Sequence, residues 1–160
     1  MRGSAIKELK LHYGEMNDVF FSYRWIDWER AKPIVAALEG RGLKVWIDRT
    51  RTEAFTGVSD AVRRALGESK ALLAFYSKDY PHSAACRWEL TQALLAEQRQ
   101  NAGAARVLVI NPEPSSVHII EAASRDSAYL SANDPAAVAD SVFKHVGRLD
   151  DPLGELGAAA

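Results

Sequence analysis

Glu89 is the residue whose type and setting most clearly could do chemistry. It lies in Ser83-Ala84-Ala85-Cys86-Arg87-Trp88-Glu89-Leu90, just after the apolar run Ala71–Ser77. A strand ending near Ser77 and a helix starting near Ala84 place this acid past the carboxyl end of a strand, where open α/β sheets bind ligands. Two readings of such an acid stay open. It can favour positive charge developing on a sugar ring. It can also simply occupy the positive field at a helix start, worth about 0.3–1 kcal/mol.

Other side chains cluster at the same kind of position. Tyr23, Arg24 and Trp25 follow the first apolar run, Asp48 ends the second, and Trp88 precedes Glu89. Arg24 can offer a bidentate fork to a phosphate. Tyr23, Trp25, Phe55 and Trp88 are stacking surfaces for a base. Asp48 suits an Asx-type role, accepting backbone N–H groups of the loop that follows. Cys86 falls on the apolar side of its helix and reads as packing.

Several chemistries are missing from the sequence. No glycine-rich fingerprint follows the first strand, so a bound redox dinucleotide is not expected. Neither a phosphate-binding Gly-Lys-Ser/Thr loop nor a Gly-x-Ser-x-Gly elbow occurs. The four histidines lack metal-ligand spacing, and no metal is expected. A phosphoacceptor role for Asp48 needs an acidic pair after the first strand, where Ser22-Tyr23 stands.

The bulk composition narrows the setting further. Twenty basic against twenty-one acidic side chains give a net charge of −1, which makes no case for nucleic acid or an anionic membrane. The single cysteine excludes an intrachain disulfide and matches a reducing, cytoplasmic setting. No apolar run reaches the roughly 20 residues of a membrane span, and the polar start is not a signal peptide.

The elements that would position these residues alternate between strand and helix. Val19–Ser22 reads as the first strand. A helix carries Ala31, Ile34, Val35 and Leu38 on one face, with Pro33 tolerable only in its first turn. Gly40 and Gly42 are expected as left-handed caps. Leu43–Asp48 is the second strand, and residues 49–57 form a loop. Val58, Ala61, Val62, Ala65 and Leu66 stripe a second helix that closes near Gly67.

The third strand covers about Lys70–Ser77. The next helix, from about Ala84 to Gln98, is expected to bury Cys86, Leu90, Ala93 and Leu94. Val107–Ile110 is a fourth strand, and a short fifth lies near Tyr129-Leu130. Asn133-Asp134-Pro135 starts a last helix, with Val138, Val142, Phe143 and Val146 on one face. Residues 1–15 form an N-terminal extension, and 149–160 the start of a linker to a further module. This pattern implies a flavodoxin-like α/β three-layer sandwich, a five-stranded parallel sheet with helices on both faces.

Five boxes in register go further. They are Phe20-Phe21-Ser22-Tyr23-Arg24 with Asp27, Gly42–Asp48, Phe55-Thr56-Gly57, Ser77-Lys78-Asp79-Tyr80 and Cys86-Arg87-Trp88-Glu89-Leu90. Over about residues 16–148 the chain resembles a Toll/interleukin-1 receptor (TIR) domain, in a form closer to bacterial members than to animal receptors. One departure is Ala85 before the cysteine, where the family often has tryptophan; here Trp88 precedes the glutamate instead.

The resemblance implies cleavage of NAD⁺, as substrate and not as cofactor, to nicotinamide and ADP-ribose or a cyclic isomer. It makes Glu89 the catalytic carboxylate, with Tyr23, Arg24, Trp25, Asp48, Phe55, Gly57 and Trp88 lining the pocket. It also implies activation by self-association with other TIR domains, a sensor module in the full protein, and a role in defence against phage. Two alternatives remain. One is a non-catalytic TIR scaffold that recruits other TIR domains through the 49–57 loop. The other is a nucleoside-ribosyl hydrolase or transferase of similar fold.

Overall fold

The computed structural model describes residues 16–48, 59–100, 104–119, 130–154 and 156. Five parallel strands form one sheet in the order β2-β1-β3-β4-β5. They are β1 (Asn17–Ser22), β2 (Val45–Trp46), β3 (Ser69–Phe75), β4 (Val107–Asn111) and β5 (Leu130–Ser131). The helices are α1 (Trp28–Gly40), α2 (Asp60–Gly67), α3 (Ala84–Gln100) and α4 (Pro135–Val146). This is the α/β sandwich that the alternation implies. The chain reverses its winding between β1 and β3.

The two-residue period of a strand sorts the core into two layers. Val19 and Phe21 of β1, with Ala71, Leu73 and Phe75 of β3, pack against α1 and α4. Phe20, Leu72 and Ala74 point the other way and pack against α2 and α3. Both central strands are covered on both faces, which explains their nearly unbroken apolarity. The same parity sends Ser22 to the α2/α3 side, together with Phe20.

Helix ends follow their sequence signals, with two corrections. Ser59 caps α2 by accepting the Val62 N–H at 3.2 Å, and Asp134 caps α4 by accepting that of Ala137 at 3.1 Å. At the end of α1 only Gly42 is left-handed, with φ 97°; Gly40 remains helical. The Gly42 N–H bonds Glu39 O and the Leu43 N–H bonds Leu38 O, a Schellman arrangement with room for a single left-handed residue. Pro33 sits beyond the first turn of α1, on its exposed side, where water can reach the carbonyl that lacks a donor.

Three other expectations change. The second strand pairs only at Val45–Trp46, because it lies at the sheet edge and has β1 alone as neighbour. Phe143 faces outward on α4, and the Arg41 guanidinium lies over its ring at 3.9 Å. Residues 149–154, expected to begin a linker, pack onto the fold. Leu149 and Leu153 are buried, and the N–H groups of Leu153 and Gly154 bond Ser69 O and Gly67 O at 2.8 and 2.9 Å. Gln100 Nε2 donates to the carbonyls of Pro152 and Leu153, and Arg106 Nη1 to that of Asp151. Val58 and Tyr129 lie outside the described residues, as do 1–15.

Gly67 tests this docking. A Cβ there would stand 2.6 Å from the Gly154 carbonyl oxygen, which is backbone and cannot swing away. Ala in a helix gains about 1 kcal/mol over Gly, but forced overpacking costs about 1–3 kcal/mol. Gly67→Ala is therefore expected to lower the urea midpoint. A raised midpoint would mean that the 149–154 stretch is not docked in solution.

Candidate active site

The reversal of winding between β1 and β3 creates a topological switch point, the position where open sheets of this order take ligands. Ser22 ends β1 there, and Tyr76 to Ser83 leave β3 beside it. Ser83 Oγ accepts the Cys86 N–H at 3.1 Å and so starts α3 with its amino end over this point.

Glu89 lies in the second turn of α3 and is 0% exposed. The helical stripe explains why: Cys86, Glu89, Leu90, Ala93 and Ala96 are all buried, at spacings of one, three and four. Position 89 is thus a core position occupied by an acid, not a surface site favoured by the helix dipole. Its Oε1 accepts from Ser22 Oγ at 2.7 Å. Ser22 Oγ also lies 2.8 Å from the Tyr80 hydroxyl, and Tyr80 in turn reaches Cys86 O at 3.4 Å. The carboxylate therefore rests in a hydrogen-bonded set drawn from β1, the β3–α3 loop and α3.

On the opposite face of the sheet a second acid is buried in a similar way. Ser77, two residues past the end of β3, donates to Asp27, which is 4% exposed. Arg30 Nη2 donates to the other Asp27 oxygen at 3.0 Å, and its Nη1 reaches Glu113 at 3.0 Å. Glu113 also accepts the Lys78 N–H at 2.9 Å. Loops after β1, β3 and β4 are joined by this chain of charges. The hydrogen bond from Arg30, then that from the Lys78 backbone, holds the Glu113 carboxyl below its ordinary value, while Glu113 raises Arg30.

The other expected site residues are distributed as follows. Tyr23 is buried; its hydroxyl donates to Asp48 O at 2.9 Å and its ring meets Trp28 at 5.4 Å, so it braces β1 against the end of β2. Asp48 is buried beside it. Arg24 pairs with Asp79 at 3.6 Å. Trp25 is 37% exposed in a short 3-10 turn, next to Ile26 at 55%. Trp88 is half-buried against the α2/α3 core layer, with the Arg63 guanidinium 5.9 Å from its ring centre. Trp46 packs on the same layer, stacked on Phe20 at 4.9 Å. Phe55 and Gly57 lie outside the described residues.

Sequence reasoning missed Ser22, Tyr80, Ser77, Arg30 and Glu113 as members of the site. The signal for the serines was present: each closes an apolar run of the sequence, where a buried polar group needs a partner. Among the described residues, no group of three or more His, Cys, Asp or Glu side chains could hold a metal ion. No helix among them is long and apolar enough to cross a membrane.

Two measurements check these networks. Ser22→Ala removes a donor from a buried carboxylate and is expected to cost about 1–3 kcal/mol of stability. A double-mutant cycle with Glu89→Gln should show coupling above about 0.5 kcal/mol, and coupling near zero would separate the two side chains in solution. Glu113 has a lowered folded-state pKa, so its contribution is present above the ordinary value of 4.5 and is lost as pH falls below it. Glu113→Gln should therefore flatten the loss of stability on acidification below that pH. An unchanged acid limb would exclude the clamp as its source.

No curated protein matches this sequence. Solved structures do match its fold. The crystal structure of the TIR domain of the Toll-related receptor TRR-2 from Hydra magnipapillata has a TM-score of 0.63 at 19% identity, covering 83% of this chain and 100% of that one. A metazoan TIR-STING receptor from C. gigas, in complex with 2′,3′-cGAMP, gives 0.63 at 20% identity and covers 88% of this chain. The match spans 42% of that receptor. At these identities the likeness is one of fold. The family model described as the TIR domain covers residues 19–142, most of the chain, which therefore belongs to the TIR domain family.

Proposed function

We propose that this domain cleaves the bond between ribose and nicotinamide in NAD⁺, releasing nicotinamide and ADP-ribose or a cyclic isomer, with Glu89 as the catalytic carboxylate. The observation that carries this reading is a carboxylate buried at the β1/β3 switch point and oriented by Ser22. A buried acid in a core stripe is costly unless it has partners. Its presence at the ligand-binding end of the sheet supports use in chemistry.

One acid suffices for this bond. Glycosidases need a second carboxylic acid to protonate the leaving oxygen. Nicotinamide departs from a pyridinium already carrying positive charge, so the bonding pair leaves with the ring nitrogen and the product is neutral. What remains is an oxocarbenium-like ribose. A carboxylate beside it stabilises the positive charge and accepts hydrogen bonds from the sugar hydroxyls, and water, or the adenine of the same molecule, then attacks.

Glu89 is covered in the present conformation, so in this reading binding is coupled to opening. A ligand that meets only the open state shifts the population toward it. Self-association of TIR domains is the proposed trigger, in a cytoplasmic antiphage protein with a sensor module elsewhere in the full-length chain. Trp88 and Arg24 would then border the exposed ribose.

A second reading is favoured by the complete burial itself: a non-catalytic TIR scaffold in which Glu89 only holds β1, α3 and the β3–α3 loop together. One assay separates them. The concentrated domain, with and without a crowding agent, is incubated with NAD⁺, and the products are chromatographed beside those of Glu89→Ala. The enzymatic reading expects nicotinamide from the parent and a loss of about 10²-fold or more in the variant. Equal consumption by both would remove Glu89 from the mechanism. An inactive assembled parent would leave the scaffold.

A further inference from the structure

Arg63 is a cation with no ion pair among the described residues. It sits one turn into α2, its Nε is enclosed, and that nitrogen has no hydrogen-bond partner among the described residues. No carboxylate of the described residues pairs with it; the ion pairs found there involve Arg24, Arg30, Lys32, Arg41 and Lys144. Enclosed polar groups nearly always have partners, so an orphaned guanidinium N–H calls for an explanation.

Its position supplies one. Helical side chains lean toward the amino end of their helix. Both α2 and α3 begin at the end of the sheet where the strands finish, so Arg63 and Trp88 lean toward that end. The guanidinium lies 5.9 Å from the centre of the Trp88 ring, and Trp88 is the immediate neighbour of Glu89. A planar cation with no ion pair among the described residues thus lies beside the ring that precedes the buried acid in α3. Arg24, the cation expected to meet a phosphate, is already engaged by Asp79 at 3.6 Å.

We infer that Arg63 is the phosphate-recognising residue of this site, and that it selects a ribose carrying a diphosphate over a free nucleoside. The inference rests on the NAD⁺ reading and names its specificity determinant. The guanidinium fork matches two oxygens of a phosphate, and its enclosed Nε–H would gain an acceptor that the described residues do not provide. The Trp88 ring holds the fork in plane through its face.

The test uses ADP-ribose, which binds without being cleaved, and compares NAD⁺ with nicotinamide riboside as substrates. Calorimetric titration should show ADP-ribose binding weakened roughly ten- to a hundredfold in Arg63→Gln. The preference for NAD⁺ over nicotinamide riboside, as a ratio of kcat/KM values, should fall by a similar factor. Arg63→Lys keeps charge and stem but loses the fork, and should lie between parent and Arg63→Gln; it carries the test alone if the glutamine variant does not fold. Binding of ADP-ribose should also weaken with salt in the parent more than in Arg63→Gln. Equal ADP-ribose affinity in all three proteins, with a parent that cleaves NAD⁺, would overturn the role of Arg63 alone. A parent that neither binds ADP-ribose nor cleaves NAD⁺ would remove the underlying reading and this inference with it.

Discussion

The hydrogen bond from Ser22 to Glu89 is the constraint around which the rest of the domain is arranged. A carboxylate withdrawn fully from water is tolerated only with partners of good geometry. Its donor is in place only because β1 ends where it does and with the parity it has. Ser22 shares a face with Phe20, while Phe21 faces the opposite layer. A slip of one residue in β1 would turn the hydroxyl toward α1 and place an apolar side chain against the acid. The register of five residue pairs between β1 and β3, from Asn17↔Ser69 to Ser22↔Ala74, holds that parity. Fold stability and site geometry are here a single requirement.

The sheet has the same device on its other face, with a different outcome. Ser77 and Asp27 repeat the pairing of a strand-end hydroxyl with a buried acid, but Arg30 and Glu113 extend it into a chain of opposite charges. That chain reaches the surface, where Arg30 is 45% exposed, and its separate ion pairs contribute little on their own. Its value lies in geometry. It joins three loops that leave the same end of the sheet, including the one that carries Tyr80 to Ser22. The α1 side of the switch point is locked by charge, and on the α3 side the Ser22 hydroxyl donates to Glu89.

Much of the fold was legible because local rules and tertiary packing agree. Uninterrupted apolar runs gave β3 and β4, and Asp134-Pro135 gave the start of α4 within a residue. Errors arose where a distant contact decides. Nothing near Leu149 or Leu153 announces that they will dock against Gly67, Ser69 and Gln100, so a Pro- and Gly-containing stretch read as a linker. Phe143 matched the stripe of α4 yet is covered from outside by Arg41. Position 89 was legible as a place for chemistry, but its burial was overlooked, since a carboxylate is normally excluded from an apolar stripe. The spacing from Cys86 to Glu89 to Ala93 carried that information. Arg63 gave no sequence signal at all, because an arginine on a short polar helix is ordinary until its nitrogen is seen to lack an acceptor among the described residues.

Cys86 gives this arrangement an internal reporter. It is the chain's only thiol, fully buried, one helical turn before Glu89 and on the same side of α3. Any rearrangement that peels this part of the helix from the sheet and lets solvent reach the acid also bares the sulfur. The rate at which a thiol-specific dye labels the native protein thus becomes a clock for uncovering of Glu89, readable without substrate, turnover or an added probe site.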